Sequence, residues 1–173
     1  MLKLNENKKI YCISDTHFYH QRILEFCSRP FSDYNEMNKV LFENWNNTVT
    51  DDDIVLFLGD FVVGSSQYGI PKRQASETIY KNLAGEKYFI LGNHDDKRCS
   101  MFLPELVETF EYRGNSFTIS HHPLDLFATD YLIHGHIHNS PHEIRENKRA
   151  FNVGVEDIEY KPILLDEILE RIG

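Results

Sequence analysis

Cysteine is scarce and poorly placed for cross-linking: Cys12, Cys27 and Cys99 are the only three in 173 residues. An odd number, far apart and outside any Cys-x-x-Cys spacing, argues against a disulfide framework or a structural zinc site. Free thiols, buried in a reducing cytoplasm, are the expectation. Long apolar runs are missing as well. No stretch approaches the ~20 residues needed to span a bilayer, and the opening Met1-Leu2-Lys3-Leu4-Asn5-Glu6-Asn7-Lys8-Lys9 has no apolar signal core. A soluble, cytoplasmic protein without a membrane partner is expected. Basic residues are in the minority, 18 Lys+Arg against 27 Asp+Glu for a formal net charge of −9. That balance disfavours diffuse attraction to nucleic acid or to an anionic membrane surface, while leaving room for a focused positive site. Repeats, low-complexity tracts and linkers are also lacking, so residues 1–173 read as one domain, able to bury ~70% of its unfolded surface.

What is present is an α/β rhythm. The runs Ile10–Ile13, Ile54–Leu58 and 88–91 are apolar, rich in β-branched or aromatic residues and bounded by turn formers, as buried strands are. Between them, 33–46 reads as a helix with Asp33 and Glu36 as a capping box, and 71–84 as a helix with Pro71 early and Gly85 as its stop. Met37, Leu41, Phe42 and Trp45 fall at helical spacing and belong to the core. Further on, 107–112 and 116–120 flank Arg113-Gly114-Asn115, and 144–146 and 149–153 flank Asn147-Lys148, which suggests two hairpins. A terminal helix is expected at 165–172, and an exposed loop at 64–69.

The chemistry sits in short fragments that follow these runs: Asp15-Thr16-His17, Gly59-Asp60, Gly92-Asn93-His94-Asp95, His121-His122 and Gly135-His136-Ile137-His138. If the chain stays extended after the first strand, Asp15 and His17 point the same way and can share one ion. Asp60, at a strand end, has two oxygens and can bridge two cations ~3.5–4 Å apart. Asn93 offers a neutral amide oxygen. His94 next to a metal-bound phosphate can protonate the leaving oxygen, with Asp95 holding its ring in the right tautomer. Alternation in Gly135-His136-Ile137-His138 sends both imidazoles to one side and Ile137 into packing. Of His121 and His122 one is needed, and the residues themselves leave open which. Two divalent cations against two carboxylates and a bridging hydroxide leave one positive charge, so the site attracts an anion in an acidic protein. Hydroxide generated there would attack phosphorus in line.

As an ordered set, these fragments resemble the calcineurin-like metallophosphoesterase superfamily, whose motifs are Asp-x-His, Gly-Asp, Gly-Asn-His-Asp/Glu, an isolated His and Gly-His-x-His. Ser14-Asp15-Thr16-His17-Phe18 with His20, Arg29-Pro30-Phe31, Glu43-Asn44-Trp45-Asn46 and Asn152-Val153-Gly154-Val155 extend the likeness to its small stand-alone bacterial and phage phosphoesterases. The resemblance implies a four-layer α-β-β-α sandwich with two mixed sheets. It implies one ion on Asp15, His17, Asp60 and His138 and another on Asp60, Asn93, His121 and His136, with His94 as a catalytic residue that binds no metal. His121 is assigned over His122 because His122-Pro123 stands where the family has an aromatic-Pro pair. The protein phosphatase branch has Asp-Arg-Gly soon after its Gly-Asp motif, whereas here Gly59-Asp60 runs into Phe61-Val62-Val63-Gly64, which disfavours that activity.

The leading expectation is a phosphodiesterase using two divalent ions, Mn²⁺ first, with Fe or Zn²⁺ as alternatives. A small-molecule or nucleotide phosphate ester is its substrate. The competing readings are a non-catalytic scaffold of the same fold and a nuclease, the latter calling for a basic face that is not visible. His20 and Arg98 are candidate phosphate contacts, and His134 and His142 are bystanders. Oligomeric state is open.

Overall fold

Three strands lie side by side and end level, and that alignment places everything chemical in this chain. The computed structural model describes residues 1–139 and 149–173. β1 (Ile10–Ile13) is followed by a single helical turn, α1 (Ile23–Phe26), by α2 (Tyr34–Thr48) and by β2 (Ile54–Leu58). A 3-10 turn at Ser65–Tyr68 precedes α3 (Lys72–Asn82) and β3 (Glu86–Ile90). The rest is mostly strand: β4 (Val107–Tyr112), β5 (Asn115–Ser120), β6 (Tyr131–His134), β7 (Ala150–Asn152) and β8 (Ile163–Leu164), closed by α4 (Leu165–Ile172).

One sheet has the order β3-β2-β1-β8 and the other β4-β5-β6-β7. Parallel pairing sets Ile13 opposite Phe57 and Leu58 opposite Ile90, while β8 runs antiparallel to β1. In the second sheet β4 and β5 form the expected hairpin, and β5, β6 and β7 run parallel. Both sheets are therefore mixed, and the α/β class with two mixed sheets and flanking helices is as the sequence implied. The segment at 149–153 departs from expectation: its strand pairs in parallel with β6. The other arm expected for that hairpin, 144–146, and His142 lie outside the described residues.

Capping and packing explain the helices. The Asp33 carboxylate accepts from the Glu36 N–H at 2.9 Å, but Glu36 reaches back to the N–H and hydroxyl of Ser32, at 2.6 and 2.7 Å, so the capping box is shifted by one residue. Met37, Leu41 and Trp45 are buried in one stripe down α2, with Phe42 half-buried beside it. Trp45 has no exposure; its ring lies 6.3 Å from Phe57 and 6.4 Å from Phe89, which stack on each other at 4.4 Å. Its indole N–H donates to the Ala84 carbonyl at 3.1 Å, which satisfies the polar edge of a buried ring. Phe61 packs on Phe57 and Phe89 at 5.2 and 5.0 Å, and Phe18 on Phe61 at 5.5 Å. The aromatic core thus climbs from α2 through β2 and β3 into the loops that follow β1 and β2.

Main-chain bonds join the ends of the two sheets. Ser14 bridges Gly154 in parallel, and its N–H donates to Val153 at 2.8 Å, so the end of β1 is sewn to the continuation of β7. α4 lies against β1, β8 and β7, and its Asp166 accepts from the Tyr112 hydroxyl of β4 at 2.9 Å. The segment at 64–69, expected as an exposed loop, holds the 3-10 turn and begins on buried Gly64 and Ser65. Among the described residues no helix is long and apolar enough to cross a membrane.

Trp45→Ala removes the ring that fastens α2 to the first sheet. The expected loss is about 3–5 kcal/mol of stability, read in a urea titration as a lower midpoint at unchanged slope.

Candidate metal centre

Strands that end level deliver their next residues to one place, the usual location of ligand sites in parallel sheets. Asp15 lies two residues past β1, Asp60 two past β2 and Asn93 three past β3; His121 follows β5 directly and His136 stands two past β6. The backbone there is not extended. Asp15 (φ 58), His17 (φ 50), Asp60 (φ 60), His136 (φ 73) and His138 (φ 49) are all left-handed, a conformation costing side-chain-bearing residues of order 1–3 kcal/mol each. The loops hold it by lacing: Asp15 N–H donates to Gly59 at 2.9 Å, His17 N–H to Asp60 at 3.0 Å and Phe18 N–H to Phe61 at 2.9 Å.

This corrects the alternation expected from the sequence. Asp15 and His17 come together by a turn. His136 and His138 separate: the His136 ring lies 4.0 Å from His122 and 5.1 Å from His121, whereas His138 Nε2 stands 3.9 Å from Asp15 Oδ1. Ile137 is buried as expected.

Imidazoles and carboxylates then meet acceptor to acceptor. Asp15 Oδ2 takes the Ser14 hydroxyl at 2.6 Å and the His136 N–H at 2.9 Å, but Oδ1 has no hydrogen-bond partner. His17 Nε2, 3.9 Å away, has none either. A buried polar atom without a partner costs about 1–3 kcal/mol, so two of them turned toward each other mark the place of a ligand. Asp60 Oδ2 lies 3.3 Å from His17 Nε2 and 3.5 Å from His121 Nε2. His121 donates from Nδ1 to the Leu58 carbonyl at 2.7 Å, so its Nε2 lone pair faces Asp60 and Asn93 Oδ1, the latter at 2.9 Å. Oxygen and nitrogen lone pairs crowd together with no donor between them, which suits a cation.

Among the described residues four overlapping groups have donor atoms close enough to hold an ion: Asp15, His17 and His138; Asp15, Asp60 and His121; His121, His122 and His136; and Cys27, His138 and Glu156. His121 is buried and engaged with Asp60 and Asn93, while His122 is exposed. Protonation follows the same geometry. Burial pushes His17 down to about 3, and burial with the neighbouring His122 and His121 pushes His136 down to about 4, so both present neutral lone pairs near pH 7. Burial alone would raise Asp60, but the adjacent His121 and His17 rings hold it well below the carboxylate range.

Two glycines permit the close approach. A Cβ on Gly92 would stand 2.3 Å from both the N and Oδ1 of Asp60, and one on Gly135 2.3 Å from Ser14 Oγ and 2.4 Å from Asp15 Oδ2. At neither position is there space for a side chain.

His94 is exposed, its ring 5.6 Å from that of His17. Its N–H donates to Asp60 Oδ1 at 2.9 Å and its carbonyl accepts from Lys72 at 2.6 Å. Asp95 does not hold the His94 ring as expected. Its carboxylate accepts from the N–H groups of Asp60, Phe61 and Gly92, each at 2.8 Å, because backbone donors of two adjoining loops converge there. Its place is therefore that of a clamp between the Gly-Asp and Gly-Asn-His loops. His20 is half-buried against His17, Nδ1 to Nδ1 at 3.2 Å, and Arg98 is bound through both nitrogens to Asp96 at 2.8 and 2.7 Å. His134 is buried and donates to Gly135.

The sequence reading missed Glu156 as a site residue, and with it the part Arg29 plays. Glu156 accepts from His138 Nδ1 at 3.2 Å and is paired with Arg29 at 2.7 Å. Arg29 is itself buried and donates to the carbonyls of Asp15 and Thr16 at 2.7 and 2.9 Å. Burial would lower His138, but hydrogen bonds to Cys27 and Glu156 outweigh it and push the ring up to about 10. The signal lay in Arg29-Pro30-Phe31 and in the residue after Asn152-Val153-Gly154-Val155, but only folding shows that the two stretches touch.

Comparison with known proteins gives the family. The model of the calcineurin-like phosphoesterase family matches residues 8–171. An uncharacterized protein of Methanocaldococcus jannaschii is 40% identical over 172 residues, covering 95% of this chain and 92% of that one. The crystal structure of a protein of unknown function from Aquifex aeolicus is similar with a TM-score of 0.74 at 27% identity, over 95% of this chain and 99% of that one.

Glu156→Gln keeps the size of the side chain but removes the charge that orients His138. Metal affinity is expected to fall about 10–100-fold, measured by competition with a chromophoric chelator, with the fold intact by circular dichroism.

Proposed function

The chain belongs to the calcineurin-like phosphoesterase family, and on that premise we propose that it is a phosphodiesterase with two divalent metal ions. Asp15, His17, Asp60 and His138 hold one ion, and Asp60, Asn93, His121 and His136 hold the other. The observation that carries this reading is the position of Asp60 Oδ2, between His17 of one donor group and His121 of the next. The donor set of carboxylate, amide and imidazole suits Mn²⁺, with Fe and Zn²⁺ as alternatives. Bound there, the ions supply Lewis acidity toward the phosphoryl oxygens and lower the pKa of water from about 15.7 toward ~7.

The chain's own groups do the rest. Asp60 would offer one oxygen to the ions, while its Oδ1 accepts from the His94 N–H and the His94 carbonyl accepts from Lys72. With its backbone fixed on both sides, the exposed His94 imidazole is placed to give a proton to the departing alcohol. Asp95 acts on it only indirectly, as the clamp that fixes the loop. The reading against protein phosphates is supported by the stretch after Gly59-Asp60, where Phe61 and Val62 are wholly buried and no Asp-Arg-Gly follows. A small-molecule or nucleotide phosphate ester is the substrate class, and the family match over residues 8–171 supports reading 1–173 as one such domain.

Mn²⁺-loaded protein is expected to hydrolyse bis(p-nitrophenyl) phosphate faster than p-nitrophenyl phosphate, and EDTA to abolish both activities. His94→Ala should lower kcat about 10²–10⁴-fold with two ions still bound by elemental analysis. Full activity in that variant removes His94 from the reaction. His121→Ala should lose an ion that His122→Ala keeps; the opposite outcome reverses their assignment.

A further inference from the structure

Beside the Asn93 and His121 end of the centre opens a cleft of about 870 Å³. Its lining divides by chemistry. Leu91, Leu106 and Val107 supply aliphatic surface, and Lys72, Lys97 and Arg98 supply positive charge. Leu106 and Val107 remain 60% and 43% exposed. Adjacent aliphatic side chains left in water at the edge of a reactive site mark a contact surface.

The charges are balanced only in part within the fold. Asp96 is committed to Arg98 and the Asp95 carboxylate to three backbone amides. Lys72 donates to a neutral carbonyl, and Lys97 has no acidic partner among the described residues. A chain of net charge −9 thus keeps a positive rim at this one cleft. Its volume falls in the range of about 300–1,000 Å³ common for organic ligands.

We propose that this cleft selects the substrate: it takes a nucleotide unit of the ester, with the base against the aliphatic wall and a second phosphate at Lys97. The proposal rests on the phosphodiesterase reading for what happens to that ester, but occupancy of the cleft can be measured without turnover. The aliphatic wall gives affinity for a flat apolar group, and the Lys97 ammonium is suited to phosphate.

Adenosine 3′,5′-bisphosphate carries only monoester phosphates, so a phosphodiesterase leaves both ester bonds in place. In calorimetric titration of the full chain with Mn²⁺ present, it is expected to bind about tenfold more tightly than adenosine 5′-monophosphate. Lys97→Glu, at an exposed position, should abolish most of that preference while affecting the monophosphate little, and Leu106→Ser should weaken both ligands together. Equal binding of the two nucleotides by the natural protein, or an unchanged preference in Lys97→Glu, overturns the proposal. If the preference holds while bis(p-nitrophenyl) phosphate is not hydrolysed, the cleft stands and the reaction proposed above falls.

Discussion

Lone pairs from two sheets converge on a buried space with no hydrogen-bond donor between them, and the rest of the structure serves that convergence. Asp60 Oδ2 stands within 3.5 Å of two imidazole nitrogens, and neither Asp15 Oδ1 nor His17 Nε2 has a hydrogen-bond partner. Such an arrangement is costly in the protein alone. Cations held by these donor groups would neutralise it.

Holding that arrangement takes rigidity. Left-handed residues at Asp15, His17, Asp60, His136 and His138 would relax if the loops were loose. Three features prevent it. Aromatic packing from Trp45 through Phe57, Phe89 and Phe61 reaches the base of the loops. The Asp95 carboxylate clamps two loops together through three amides. Arg29 neutralises buried Glu156 and binds the carbonyls beside Asp15, so the ring of His138 and the backbone of the first motif are oriented by one side chain.

Much of this was legible before folding. The strands at Ile10–Ile13 and Ile54–Leu58, the α2 stripe, the 107–120 hairpin and the C-terminal helix could be read from periodicity and turn residues, which depend on local chemistry. The pairing of β7 with β6 could not, because a short strand carries no label for its partner. Asp95 illustrates the same limit at the site. Its place after His94 suggested a ring partner, yet amides from another loop are nearer in space.

The sequence by itself determined which residue types are available and in what order, because donor chemistry and motif spacing are properties of the chain. It could name Asp15, His17, Asp60, Asn93, His94, His121, His136 and His138 as a set. Only the tertiary structure decided how they divide. Parallel register brings the ends of β1, β2 and β3 level, the Ser14–Gly154 bridge brings the second sheet's loops against them, and left-handed turns send His136 and His138 to different donor groups. These are consequences of long-range pairing and steric closure, which local sequence does not encode.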